Sequence, residues 1–154
     1  MDIDGIEKDK PNLCTYQRLA GVIDFWVDSG PRDLGDVVDA TMSGAACITL
    51  RRSLCPQLLI PELKEITENK IYECVDITDD SSFNNIDGFV NFNDIEEILR
   101  DFKFSEFLKQ LTSNKLLYAY EDKVAKVNHW KRFNTEGILV NLNKLEEFKN
   151  AFRI

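Results

Sequence analysis

The chain has 154 residues, 44% of them apolar, with ten Phe, one His and a net charge of −8. That is enough apolar material for one real core and hardly for two, because small domains leave much of their surface wet. No apolar run approaches the roughly 20 residues needed to cross a bilayer, and the start MDIDGIEKDK is acidic where a signal peptide is basic and then apolar, so a soluble cytoplasmic protein is expected.

The charge is unevenly placed. Residues 1 to 99 hold 8 Lys and Arg against 20 Asp and Glu, whereas residues 100 to 154 hold 11 against 7. Cys14, Cys47, Cys55 and Cys74 form no C-x-x-C pair, and His129 is the one imidazole, so free thiols are expected and no metal or cofactor.

Residues 1–12 lack apolar periodicity and read as a loose tail. Tyr16, Leu19, Ala20, Ile23, Trp26 and Val27 then line one helical face, ending at Ser29-Gly30-Pro31, where Gly30 can take a left-handed terminal position. Asp33 can cap a second helix with Leu34, Val37, Val38, Ala45 and Ile48 as its buried stripe. Its small-residue middle, ATMSGAAC, points to a bend or close helix packing rather than a ligand loop, since no phosphate-loop pattern is present. Leu63, Ile66, Ile71 and Cys74 make an acceptable helical stripe for 61–75. Residues 76–87 are a polar, Asp-rich turn whose spacing does not match a calcium-binding loop.

Asp87-Gly88 leads into a short strand, 89–92, and Asn93 with Glu96 resembles a capping box. Ile95, Ile98, Leu99 and Phe102 form one stripe, and Phe104, Phe107, Leu108 and Leu111 repeat it nine residues on. Nine residues is about 900° of helix, half a turn out of phase, so two short helices, 94–102 and 104–113, are expected. A hairpin follows, its strands Leu116–Tyr120 and Val124–Trp130 joined by Glu121-Asp122-Lys123. A last helix starts near Asn141, with Leu142, Leu145, Phe148 and Phe152 inward.

The run of helix 61–75, strand 89–92, two helices and hairpin, closed by LLYAYEDKVAKVNHWKRF, resembles the winged-helix modules of phage and mobile-element replication proteins over about residues 58–134. The expected fold is α/β, mostly helical: the winged-helix-like module (58–134) that the resemblance implies, preceded by an acidic helical layer (1–57), which departs from the family's pattern, and followed by a C-terminal helix (135–154), packed as one unit. The resemblance also implies a DNA-binding replication or transcription accessory factor whose helix 104–113 enters the major groove. Ser105, Lys109, Gln110 and Ser113 would then face bases or phosphates, with Lys123, Lys126, Lys131 and Arg132 on phosphates.

The competing expectation is an acidic protein-interaction module, of the inhibitor, immunity or adaptor kind. Asp24, Asp28, Asp33, Asp36 and Asp39 would meet a basic partner, and the 33–50 helix could support a homodimer. Catalysis is not expected: His129 is the one imidazole, no nucleophile elbow accompanies it, and carboxylate pairs such as Asp79-Asp80 and Glu146-Glu147 are simply adjacent in sequence.

Overall fold

A computed structural model describes residues 1–77 and 84–152, so the Asp79-Asp80 pair and the centre of the Asp-rich turn lie outside the described residues. The chain gathers into two compact units, the first built on Met1–Cys74 and the segment ending at Asp87, the second on Gly88–Ile154 with Val75.

The first unit opens with helices α1 (Ile3–Lys8) and α2 (Leu13–Ala20), followed by strand β1 (Trp26–Val27), helix α3 (Leu34–Met42), strand β2 (Cys47–Arg51), helix α4 (Ile60–Ile66) and strand β3 (Lys70–Val75). β1 pairs with β2 and β2 with β3, both in parallel. Parallel neighbours need a crossover, and α3 and α4 supply the two. Asp33 caps α3 as expected, its carboxylate accepting from the Asp36 amide.

The α3 helix stops where Gly44 turns left-handed, at φ 94°. A side chain at Gly44 would be strained by that φ and would strike the Ala20 methyl on α2. The small-residue run is therefore a helix end and a close approach, and beyond it CITLR leaves helix for strand. Ile48, Leu50, Leu63, Ile71 and Val37 are all fully buried.

In the second unit, strand β4 (Gly88–Asn91) is followed by helices α5 (Ile95–Arg100) and α6 (Phe102–Leu111), strand β5 (Leu116–Tyr120), a short helix α7 (Val127–Trp130) between two 3₁₀ turns, strand β6 (Thr135–Leu139) and helix α8 (Leu145–Phe152). β4 pairs with β5 and β5 with β6, again in parallel. The helix pair breaks at Asp101, whose carboxylate accepts from the Phe104 amide and starts α6. Ile95, Ile98 and Leu108 are completely buried, as the repeated stripe required, whereas Phe102, expected to close the first stripe, opens α6 and is 77% exposed.

The expected winged helix is therefore corrected to a parallel α/β arrangement. No hairpin forms at 116–130, because the segment meant to return as an antiparallel strand coils instead. Val124, Val127, Trp130 and Phe133 recur at every third residue, the spacing of a 3₁₀ turn, and the last three are buried. The partner of β5 is β6, reached after a left-handed turn at Asn134.

Five other expectations are corrected. The tail 1–12 contains an ordered helix. The stripe 16–27 divides at Gly21 into a helix and a strand, leaving Val22 and Ile23 exposed, and the stripe 61–75 divides into α4 and β3. Gly30 is left-handed, yet it follows β1 and not a helix. Leu142 lies outward, 80% exposed, whereas Phe148 on the same segment is buried.

Candidate functional site: polar strand ends and an aromatic sheet face

Strand residues alternate between the two faces of a sheet, and the register assigns each side chain of the first unit's strands. Val27, Ile48, Leu50 and Ile71 share one face and are buried, and Glu73, 1% exposed, lies on that face with them. Trp26, Cys47, Thr49, Arg51, Lys70, Tyr72 and Cys74 share the other, where Trp26, Cys47, Arg51 and Cys74 stay partly exposed, Lys70 is exposed, and Thr49 and Tyr72 are buried. The Trp26 and Tyr72 rings lie 4.1 Å apart between centroids, tilted by 34°. The Trp26 indole N–H donates to the Thr49 hydroxyl at 2.7 Å, so the hydroxyl of a buried threonine holds the ring in place. Burial pushes the Cys47 thiol above its ordinary pKa, which keeps it in the less nucleophilic thiol form.

At the carboxyl ends of β1 and β2 a charged pair closes this face. Arg51 donates from Nε and Nη2 to the carboxylate of Asp28, with the shortest contact at 2.7 Å. Asp28 is 4% exposed, so the guanidinium fork compensates a carboxylate that has left water.

The start of the chain packs onto the same strand end. The Asp2 amide donates to the Asp28 carbonyl, and Gly5 presses so close to Ser29 that a side chain at Gly5 would collide with the Ser29 carbonyl. Asp2 is a hub: its carboxylate accepts from the Gly5 amide, the Asn12 amide and side chain, and the Tyr16 hydroxyl. Burial works to raise its pKa, but these donors together prevail and hold the carboxyl below its ordinary value. The Tyr16 hydroxyl moves up, through burial first and then its bond to Asp2. Arg32 completes the clamp, donating to the carbonyls of Gly5, Ile6 and Gly30 and to the Asp9 carboxylate.

The second unit repeats the theme of buried polar groups at strand ends. Asn91, the last residue of β4, is completely buried and exchanges hydrogen bonds with Asn93. Glu121, just past β5, is 5% exposed and accepts from the amides of Asp122 and Lys123 and from the Trp130 indole. Three donors satisfy the ionised form, which marks Glu121 as a structural clamp on the β5–α7 loop. Phe92 and Tyr120 stand 6.0 Å apart, and Tyr118 packs over Gly137 where a side chain would crowd its ring.

The residues singled out for DNA contact are placed very differently from one another. Ser105 is buried on the inner side of α6. Lys109 pairs with Glu106 at 2.6 Å, and the Ser113 hydroxyl donates to the Gln110 carbonyl, while the Gln110 side chain is exposed. Lys126 is held by Asp94 at 2.8 Å and Glu96 at 3.3 Å, with the Asp94 bond raising its pKa and correspondingly lowering that of Asp94. Lys123, Lys131 and Arg132 are exposed. Helix α6 carries Ser105, Lys109 and Gln110, whereas the wing expected to carry Lys123 and Lys126 does not form among the described residues.

The acidic side chains expected to meet a basic partner are also partly occupied. Asp28 is paired with Arg51, Asp33 caps α3, and Asp36 accepts from the Arg32 amide. His129 is exposed on α7, and no cluster of three metal-binding side chains occurs among the described residues. No described helix is long and apolar enough to span a membrane.

The sequence reading passed over Asp2, the Asp28–Arg51 pair and Glu121. One signal was available: Arg51 closes the apolar run CITL, an unusual place for a guanidinium without a buried acid nearby. No family model matches the chain, and no curated protein is found similar to it.

Proposed function

We propose that the chain is a protein-interaction module and that one face of the first unit's sheet, around Trp26, Arg51 and Lys70, receives another polypeptide. The observation carrying this reading is that Trp26, Cys47, Arg51 and Cys74 stay partly exposed and Lys70 exposed on one face of the parallel sheet, around a buried Thr49 and Tyr72. Its part-exposed side chains are within reach of a partner. Trp, Tyr and Arg are also the side chains that most often supply the central energy of protein interfaces. The reading needs no recognition helix and assigns no catalysis.

Capture from a native lysate treated with nuclease tests it, comparing the wild-type chain with Trp26→Ser and Lys70→Glu on the face and Lys8→Glu on α1. The expected result is a protein retained by wild type and Lys8→Glu and lost from both face variants, each checked for folding by circular dichroism. Capture that vanishes with nuclease, or that the face variants leave untouched, overturns the proposal.

A further inference from the structure

A second feature lies in the second unit, where Trp130 turns from its bond to Glu121 into a groove wall. Between α7, β6 and α8 runs a groove of about 510 Å³, within the ~300–1,000 Å³ range of small-molecule sites. Val127, Trp130, Ile138, Val140, Phe148 and Phe152 line it, so its walls are aliphatic and aromatic. Three charged side chains border it: Lys131, Lys149 and Glu136.

These three are not equivalent. Lys149 is engaged by Glu146 at 3.1 Å, one helical turn away. Lys131 makes no ion pair among the described residues and projects from the turn directly after Trp130, whose ring is 1% exposed and forms part of the wall. Lys131 is thus the ammonium at the border that is outside an ion pair among the described residues, and the apolar walls require a body that gains by leaving water.

We propose that this groove binds a small amphipathic carboxylate, with its apolar body between β6 and α8 and its head group at Lys131. Such a ligand offers a hydrocarbon or aromatic portion to Trp130, Val140 and Phe148, and one negative charge to an ammonium already at the mouth. Glu136 sets a selectivity: it disfavours di-anions, because a second negative charge would face its carboxylate. The site is independent of the sheet-face docking proposed above, since it uses residues of the second unit alone.

Isothermal titration calorimetry of the full chain tests the assignment with decanoate, decanol and decylammonium, each below its micelle concentration. Decanoate is expected to bind one to one and more tightly than either neutral or cationic chain. Lys131→Glu, a change on an exposed side chain, should weaken decanoate at least tenfold and leave decanol unchanged. Val140→Trp, which fills the groove, should weaken both ligands. Decylammonium binding as tightly as decanoate, absence of saturable binding, or a Lys131→Glu chain with unaltered decanoate affinity would each overturn the proposal.

Discussion

The Tyr16 hydroxyl donates to the Asp2 carboxylate, fastening α2 to the first turn of the chain across fourteen residues. Both groups are buried, and three further donors from Gly5 and Asn12 converge on the same carboxylate. Replacing Asp2 with Ala should therefore cost about 1–3 kcal/mol, the usual penalty for orphaning buried donors.

The same site makes a pH prediction. Its folded-state pKa lies below the ordinary Asp value, so the stabilisation is complete above about pH 4 and is lost as pH falls through the lowered folded value. Urea melts of wild type and Asp2→Asn should differ clearly at pH 7 and converge at lower pH. A gap that widens on acidification would refute the assignment.

Breaking the Asp28–Arg51 pair from one side should be costly, because Asp28 is buried. Arg51→Met, which takes the guanidinium from a carboxylate 4% exposed, is expected to lose about 3 kcal/mol, and Asp28→Ala less, since the Arg51 side chain is partly exposed and reaches water. A double-mutant cycle read by chemical denaturation measures the coupling. Additive losses would show that the two side chains do not act together.

Gly44 offers a two-step test. Gly44→Ala places a side chain at φ 94° and against the Ala20 methyl, and should destabilise by about 1–3 kcal/mol. Adding Ala20→Gly removes the collision and leaves the backbone strain, so a partial rescue is expected. Complete rescue would assign the cost to the collision alone.

Glu121→Gln should disturb the β5–α7 loop, because an amide presents its own donors to a site already lined with donors. The expected loss is about 2 kcal/mol, accompanied by a shift in Trp130 emission as the indole N–H loses its carboxylate partner. Unchanged emission in a folded variant would break the link between these two side chains.

The cysteines should separate by reactivity. Burial pushes the Cys55 thiol up to about 11, and its S–H donates to the Arg51 carbonyl, whereas Cys14 is exposed. Ellman's reagent at pH 8 should label Cys14 first and Cys55 only on unfolding. Labelling of Cys55 at the rate of Cys14 in the native chain would contradict the observed burial.

Several elements were legible from the order of residues. Asp33 announced a helix start, and the paired stripes at Ile95–Phe102 and Phe104–Leu111 forced two helices joined at a break, because a single rod would put them on opposite sides. The strand at 89–92, the strand at 116–120 and the final helix were visible as well. Caps, breaks and amphipathic stripes are local, spanning one or two turns, so local sequence suffices to specify them.

The direction of strand pairing was not legible, and the fold turned on it. Leu116–Tyr120 has the same alternation whether its neighbour runs parallel or antiparallel, and what chose the parallel partner was the burial of Val127, Trp130 and Phe133 in a coiled crossover. Short apolar runs such as CITLR and KIYECV likewise fit either helix or strand until neighbouring backbone is there to accept their hydrogen bonds. The same holds for the candidate site. Asp28 and Arg51 are twenty-three residues apart, as are Trp26 and Thr49, and each pair meets because β1 and β2 lie side by side. Local chemistry specified where elements begin and end; long-range pairing specified which side chains meet, and with them the surfaces this protein offers.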